Sequence, residues 1–576
     1  MARPNDVVAG LLQEYADLLS ITGGDGFRVR VYERAARAVA GHHADVSTLD
    51  LAALQDIPNV GQAIAKKIDE YVQTGTIGVV DKLRGTVPAG VREMTAIPGL
   101  GPKKAMQLYQ ERGVSSVEEL ADALEDGRLD GLRGFGAKTA ENIRHGIALA
   151  RRGEGRVRVD EAMAVAEEIV GQLSAVAGCL ACTYAGSLRR LRETIGDIDI
   201  LAAARESQPL MDAFAGLPGV AEVIARGPTK SSVRMHAAGL QVDLRVVAPE
   251  AWGAALQYFT GSKAHNIRIR EIAVRKGLKL SEYGLFRVDD ATLVVSETEE
   301  DVYDRLGLPW IPPTLREDRG EIDAALAGKL PEVITAADIR GDLHTHTNLT
   351  DGVASLPEML TAARARGYRD YAVTDHAEGL PMQRMTEAKM LTQRAQLRAA
   401  AEGRMALLHG TELNIDAEGG VDWGPEFLAG FDICVASVHS HFNQPSEVMT
   451  RRLIRACENP YVNIIGHPTT RMIGRRGPIE ADFDAVFAAA ARTGTAMEVN
   501  SYPDRLDLND DLILRARRHG ARFAVNTDSH SIVHLDHVRY GIGMAQRGWL
   551  TRDEVINAWP LSKLREFVRA KRATAG

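Results

Sequence analysis

The stretch Tyr184–Leu201, YAGSLRRLRETIGDIDIL, decides how the chain is organised. A turn of small residues (Ala185, Gly186, Ser187) leads to paired arginines, Arg189 and Arg190, and then to an alternating segment holding Asp197 and Asp199. Side chains two apart on a strand share a face, so the spacing predicts two carboxylates converging on one spot. Such a pair repels unless a cation sits between, and hard oxygen donors suit Mg²⁺ or Mn²⁺. The alternative is two solvated charges on an edge strand. A third aspartate, Asp243, in the strand-like run LQVDLRVV favours the metal reading. Gly-Ser amides beside Arg190 then suit a triphosphate.

Gly186-Ser187 followed by Asp197 and Asp199 resembles the signature of the X-family DNA polymerases, the group that includes polymerase beta. The resemblance implies two-metal nucleotidyl transfer, with Asp197 and Asp199 binding both ions and Asp243 joining them at the catalytic one. It also implies that Gly186, Ser187 and Arg190 hold an incoming deoxynucleoside triphosphate. Further on, YFTGS (258–262) matches the family's nucleotide-binding turn. By that match Tyr258 and Phe259 line the sugar, and Gly261 lets the backbone approach the nucleotide. Asn266 would reach the minor-groove edge of the base pair and Arg270 the template. Without the family, Tyr258-Phe259 reads as core and TGS as a plain turn. Two positions depart from the animal enzymes: Gln241 stands where they place an arginine, and Lys263 where they place an acidic residue.

Outward from this core, 576 residues suggest three or four domains, and an ordinary composition (45% hydrophobic, 25% charged) suggests globular ones. No apolar run is long enough to span a membrane and the first residues lack a signal-peptide core, so a cytoplasmic enzyme is expected; the polymerase resemblance implies a nucleoid-associated one, expected to be a monomer. Cys179 and Cys182 form a lone CxxC in an apolar run and read as packing residues. The net charge of −8 and a balance of 17 basic to 20 acidic residues over 1–150 exclude a strongly basic DNA-binding domain. Any grip on DNA must come from local clusters and backbone amides.

The first 50 residues show helical periodicity, with Arg28, Arg30, Arg34 and Arg37 either facing phosphate or merely solvated. Three segments then repeat a theme: IPNVGQAIAKKI (57–68), IPGLGPKKAMQL (97–108) and LRGFGAKTAENI (132–143). In each, a glycine (Gly61, Gly101, Gly136) opens a helix whose free amides, with Lys103, Lys104 and Lys138, can hold a phosphate without base contact. The triple resembles helix-hairpin-helix modules. IAKKIDEYVQTG resembles the lyase domain of polymerase beta, which puts Lys67 at its Schiff-base lysine. The alternative is a surface lysine paired with Asp69, Glu70 or phosphate.

The last 240 residues hold most of the histidines, in the motifs DLHTHTNLTDG, VTDHAEG, HGTELN, ASVHSH, IGHPT and NTDSH. Short apolar strands ending in a ligand and alternating with helices predict an α/β barrel, whose functional residues gather at the C-terminal strand ends. The mixed N/O donors suit Zn²⁺, Mn²⁺ or Fe²⁺ over Ca²⁺. The set resembles the polymerase-and-histidinol-phosphatase (PHP) domain. That resemblance implies a cluster of up to three Mn²⁺ and/or Zn²⁺ ions, with Glu412 bridging two, His344, His346, His439 and Asp528 nearby, and Asp351, His376, His467 and His530 completing it. Arg471, Arg475, Arg476 and Arg505 are candidates for substrate phosphate.

The expected fold is multidomain, α+β and α/β. Residues 1–80 would form a helical lyase-like domain, 81–155 helix-hairpin-helix fingers, 156–250 a palm of the nucleotidyltransferase fold and 251–318 a thumb. A linker (319–338) would lead to a distorted PHP barrel (339–576). The whole resembles the bacterial X-family polymerases. It implies a repair enzyme that fills gaps in gapped or nicked DNA and processes 3′ ends, with abasic-site cleavage as an extension. Two rivals are a structure-selective nuclease whose palm only positions DNA, and a C-terminal domain that merely stabilises the fold or acts on a small phosphate ester.

Overall fold

The computed structural model describes residues 4–573 apart from 43, 96, 98–99, 130, 133, 137–138, 142, 145–146, 148–154, 237–238, 381–384 and 402. Lys138 and residues 151–154 therefore lie outside the described residues.

The N-terminal region is helical. Helices α1 (Pro4–Ile21) and α2 (Gly26–Gly41) bury Val8, Leu12, Tyr15, Tyr32 and Val39 in a core that continues through the N-terminal region to Ile147. Asp25 starts α2 by accepting a hydrogen bond from the Phe27 amide, which satisfies one of the free N-terminal donors. Helices α3 (Gln62–Thr74) and α4 (Pro102–Arg112) begin directly after Gly61 and Gly101. A proline at the first position of α4 loses nothing, because that amide has no helical partner.

The palm follows. Helix α5 (Val159–Ser174) packs on a five-stranded sheet of β1 (Ala181–Tyr184), β2 (Asp197–Ala203), β3 (Val220–Arg226), β4 (Lys230–Met235) and β5 (Gln241–Val247). Its order is β1-β2-β5-β4-β3, with β2 and β5 parallel and the other pairs antiparallel. Ile198 and Ile200 are buried on one face of β2, which turns Asp197 and Asp199 to the other. Between β1 and β2 runs the one-turn helix α6 (Gly186–Arg189). The thumb adds α7 (Trp252–Thr260), α8 (Lys263–Arg275) and a small antiparallel sheet of Leu278–Ser281, Gly284–Arg287 and Leu293–Val295.

The C-terminal strands β6 (Gly341–Asp342), β7 (Asp370–Val373), β8 (Ala406–Asn414), β9 (Ile433–Ser437), β10 (Ile464–Ile465), β11 (Ala496–Asn500) and β12 (Arg522–Asn526) pair in parallel and in sequence order. A parallel bridge between Thr345 and Ser529 brings the first strand's extension against the last, so the sheet curls into a nearly closed barrel. Helices cover its outside, and the strands are accordingly apolar on both faces. The last long barrel helix before the C-terminal one, α9 (Val538–Arg547), faces the palm. Buried side chains of palm and barrel form one continuous core. Among the described residues no helix is long and apolar enough to cross a membrane.

Candidate active sites

In the palm the parallel register sets Asp199 of β2 opposite Asp243 of β5, and Asp197 opposite Gln241. The strand pairing thus brings Asp243 beside the Asp197 and Asp199 that share one face of β2. Burial, then the charges of Asp197 and Asp243, push the Asp199 carboxyl up to about 7. A cation in the same place would reverse that shift. Gly186 lies against the triad. Its φ is 58°, and a Cβ there would collide with Asp199 Oδ2, so only glycine lets the turn close on the carboxylates. The Ala185 amide donates to the Asp199 carbonyl at 2.7 Å and locks turn to strand.

Gln241 does orient Asp243: its Nε2 donates to Oδ1 at 3.0 Å. Lys230 of β4, which the sequence did not single out, places its ammonium 3.0 Å from Asp243 Oδ2. Burial alone would raise the Asp243 carboxyl, but Gln241, Lys230 and Ser232 bring it below its ordinary value.

The nucleotide-side residues cluster at the palm–thumb junction. Arg190 donates Nε to Glu317 Oε1 at 3.1 Å and Nη1 to the Thr260 carbonyl at 2.6 Å. Gly261 adopts φ 68° and ψ −152°, a glycine conformation, and a Cβ there would stand 3.1 Å from Arg190 Nη1. Tyr258 and Phe259 meet edge to face with ring centroids 5.2 Å apart. Asn266 is turned inward. Its Oδ1 accepts from Gln257 at 2.9 Å and its Nδ2 donates to the Tyr258 carbonyl at 2.7 Å. Arg270 is exposed and donates to the Asn266 carbonyl at 3.2 Å. Lys263 is exposed, one residue after the Ser262 cap of α8.

All nine histidine, aspartate and glutamate donors of the barrel converge. Three groups of ligand atoms fall within metal-sharing distance: His346, Asp351, His376 and His530; His344, His346 and Asp528; and His376, Glu412 and His439. Glu412 is the hub, with Oε2 2.9 Å from His376 Nδ1 and Oε1 3.1 Å from both His439 Nε2 and His467 Nε2. His344 Nε2, His346 Nε2 and Asp351 Oδ1 are buried and have no hydrogen-bond partner among the described residues. Orphaned imidazole nitrogens beside carboxylates fit a multinuclear cation site, which would satisfy both. Burial alone would lower the His344 imidazole, but Glu498, Asp528 and Glu412 raise it well above its ordinary value.

Two supporting residues were not singled out from the sequence, although Asn414 ends the motif HGTELN. Glu498, fully buried on β11, lies 2.8 Å from His344 Nδ1 and accepts the His467 amide at 2.7 Å. Asn414 Oδ1 sits 2.7 Å from His439 Nδ1. Both fix imidazole rings so that Nε2 faces the site. The one signal for Glu498 was a lone acid inside the apolar strand AMEVN. Of the candidate arginines, Arg505 comes 3.9 Å from Asp528 Oδ2 and Arg475 is exposed. Arg471 is committed elsewhere: it donates to the Arg505 and Leu506 carbonyls and pairs with Glu193 of the palm at 2.7 Å. Arg476 donates to the Thr470 carbonyl and stacks 4.1 Å from the Phe442 ring.

At the N-terminal end, Gly61, Gly101 and Gly136 each accept amides of the following helical turn through their carbonyls, and at the starts of α3 and α4 this leaves first-turn amides without a helical partner. Lys103 is exposed, whereas Lys104 lies 5.7 Å from the Phe135 ring. Lys67 hydrogen-bonds the Ala63 carbonyl at 3.2 Å, with its ammonium 5.9 and 5.7 Å from the Tyr15 and Tyr32 rings. Arg28, Arg30, Arg34 and Arg37 are exposed, and a groove of about 420 Å³ runs past Arg34, Asn59 and Gly61. Cys179 and Cys182 are free thiols packed against the palm core.

Fold and site together define a two-centre molecule: a nucleotidyltransferase-type palm and thumb joined to a histidine-lined PHP barrel. Family models match accordingly. They are a helix-hairpin-helix domain at 3–77, a SAM-like helix-hairpin-helix tandem at 91–148, the DNA polymerase beta thumb at 255–317 and the PHP domain at 342–502. The DNA polymerase/3′-5′ exonuclease PolX of Bacillus subtilis (strain 168) is 36% identical over 564 residues, 97% of this chain and 98% of that protein. The chain belongs to the bacterial X-family DNA polymerases that carry a PHP domain. Partial relatives divide along the same line. DNA polymerase lambda of Rattus norvegicus is 27% identical over 51% of this chain and 53% of its own length. A probable phosphatase of Thermoanaerobacter sp. (strain X514) is 29% identical over 41% of this chain and 96% of its own.

Proposed function

We propose that the chain is a DNA repair polymerase that fills short gaps and trims 3′ ends with a second, separate centre. What carries the reading is the pairing, in one chain, of the carboxylate triad beside Gly186 with a nine-donor pocket in the barrel. The names of the Bacillus relative's two activities support it.

In the palm, Asp197, Asp199 and Asp243 would hold Mg²⁺ or Mn²⁺, which when bound stabilises the attacking and leaving oxygens of nucleotidyl transfer. Asp243, steadied by Gln241 and Lys230, is placed to help activate the primer 3′-hydroxyl. Ser187, the turn amides and the remaining Arg190 nitrogen hold the triphosphate, while Tyr258, Phe259 and Gly261 bound the sugar. In the barrel, the nine donors would hold Mn²⁺ and/or Zn²⁺, up to three ions, which supply Lewis acidity for phosphodiester hydrolysis. Arg505, beside Asp528, is the arginine best placed for substrate phosphate. Hydrolysis at abasic sites would use the same centre. The hairpin amides with Lys103 and Lys104 hold gapped duplex by its backbone. Lys67, beside two tyrosine rings, is the candidate amine for excising a 5′-deoxyribose phosphate.

The rival reading, a nuclease with a DNA-positioning palm, draws on Gln241 and Lys263. The Gln241 and Lys230 contacts to Asp243 speak against the first of these. A one-nucleotide-gapped substrate with labelled primer, incubated with Mn²⁺ with and without nucleotides, separates the two. Asp199→Ala should lose extension but still shorten the primer, and His344→Ala should do the reverse. A wild-type protein that shortens and never extends would make the palm a scaffold.

A further inference from the structure

The loop from the Gly-Ser turn to the catalytic strand, residues 190–193, is held by the barrel at three places. Arg547 of α9 is nearly fully buried at 2% exposure. Its Nη1 donates to the Arg190 carbonyl at 3.0 Å and to Glu317 Oε1 at 2.8 Å, and its Nη2 donates to Asp510 Oδ2 at 2.6 Å. One turn earlier, Gly543 gives Leu191 room, since a Cβ there would lie 2.5 Å from Leu191 Cδ1. Leu191 itself adopts φ 51°, which a branched side chain tolerates only when its surroundings enforce it. Beyond it, Arg471 pairs with Glu193 at 2.7 Å.

We propose that Arg547 is a positioning residue for nucleotide binding, so that the PHP barrel forms part of the polymerase centre. Glu317 Oε1 sits between two guanidiniums, accepting from Arg190 Nε at 3.1 Å and from Arg547 Nη1 at 2.8 Å. Thr260 takes Arg190 Nη1. Two of the three guanidinium nitrogens are thereby fixed and the main chain of Arg190 is tied down from the barrel side, which orients Nη2 for a phosphate oxygen. Arg547 also offsets part of the Glu317 charge. Without it the carboxylate would act chiefly on Arg190, with only Arg192 Nη1 at 3.9 Å besides, and compete with the incoming phosphate. A planar fork is required: Nη1 bridges Glu317 and the Arg190 carbonyl while Nη2 holds Asp510, and a single lysine ammonium cannot stand in both places.

The inference rests on Arg190 binding triphosphate, so the test carries an arm for each. Steady-state extension of a one-nucleotide gap by the full chain gives kcat and the nucleotide KM for Arg547→Lys, Glu317→Gln, their double variant and Arg190→Gln. Mn²⁺-dependent primer shortening and thermal melting report on barrel integrity. The expected result for Arg547→Lys is a nucleotide KM raised about tenfold, the scale of one charge-assisted hydrogen bond. kcat should move less and shortening should be unchanged. Arg547→Lys combined with Glu317→Gln should be no worse than the worse single variant, because both act through one contact. If Arg190→Gln raises KM while Arg547→Lys and Glu317→Gln do not, the relay is wrong and the triphosphate reading stands. If Arg190→Gln leaves KM unchanged, both fall. Should Arg547→Lys melt early and lose shortening, Glu317→Gln in the thumb decides by the same KM criterion.

Discussion

Gly186 shows how much can hang on the absence of one carbon. Its positive φ and the Asp199 carboxylate leave no space for a methyl group. Gly186→Ala should cut extension by at least about 100-fold, as a displacement of about 1 Å at a reacting centre does. The melting temperature and primer shortening should stay near wild type, because the collision is local to the palm. Glu498 makes the complementary case in the barrel. It binds no candidate ion directly, yet it sets the ring of His344 and the backbone of His467. Glu498→Gln should lower metal affinity by about 10- to 100-fold, read by metal content after dialysis against a graded chelator. At this scale the sequence exposed the residues that stand in motifs: the three aspartates, Gly186 and the nine barrel donors. It hid Lys230, Glu498 and Arg547, whose meaning depends on a neighbour that is distant in sequence.

Between elements, the junction of α6 with the thumb is a buried ion network. Glu299 opens the helix Glu299–Arg305 and takes both Arg189 and Arg316, at 2.8 and 2.6 Å, with Trp310 Nε1 donating at 3.1 Å. Burial alone would raise its carboxyl, but the two arginines bring it from the usual 4.5 down to about 2. The folded-state value is the lower one, so the stabilisation is fully present above the unfolded value of 4.5 and is lost as pH falls towards 2. The shift corresponds to on the order of 3 kcal/mol. Glu299→Gln should melt well below wild type near neutral pH, and the gap should narrow on acidification below about pH 4.5, followed by thermal denaturation. The sequence marked YFTGS and the Gly-Ser turn as separate nucleotide-side motifs. That Arg189 and Arg190 anchor one to the other appears only once Thr260 and Glu299 are brought beside them.

Across the molecule, palm and barrel share one core, so the barrel is no tethered accessory. The N-terminal region also touches the barrel next to its metal-site loops. A Cβ on Gly41 would lie 2.8 Å from Val353 and 2.9 Å from Ser531, and Val353 donates its amide to the His530 carbonyl at 2.7 Å. Asp351 and His530 are therefore close neighbours of the docked helix end. Gly41→Ile should lift α2 from this rim, seen as a larger radius of gyration in small-angle scattering with the helical content retained. An unchanged radius would mean that the contact does not hold the N-terminal region in place.

Composition, periodicity and spacing already implied a helical hairpin region, a carboxylate-bearing palm and a parallel barrel with its donors at the strand ends. Those features are encoded locally: residues two apart on a strand share a face, and a glycine before a helix frees its amides. Local spacing could not say that β2 pairs with β5 so that Asp199 meets Asp243, nor that Arg471 serves the interface and not a substrate. Nor could it place Arg547 behind Arg190, 357 residues away in the chain. Such contacts follow from the packing of whole domains on a shared apolar core, which leaves no periodic trace in either segment, and only the folded chain decides them.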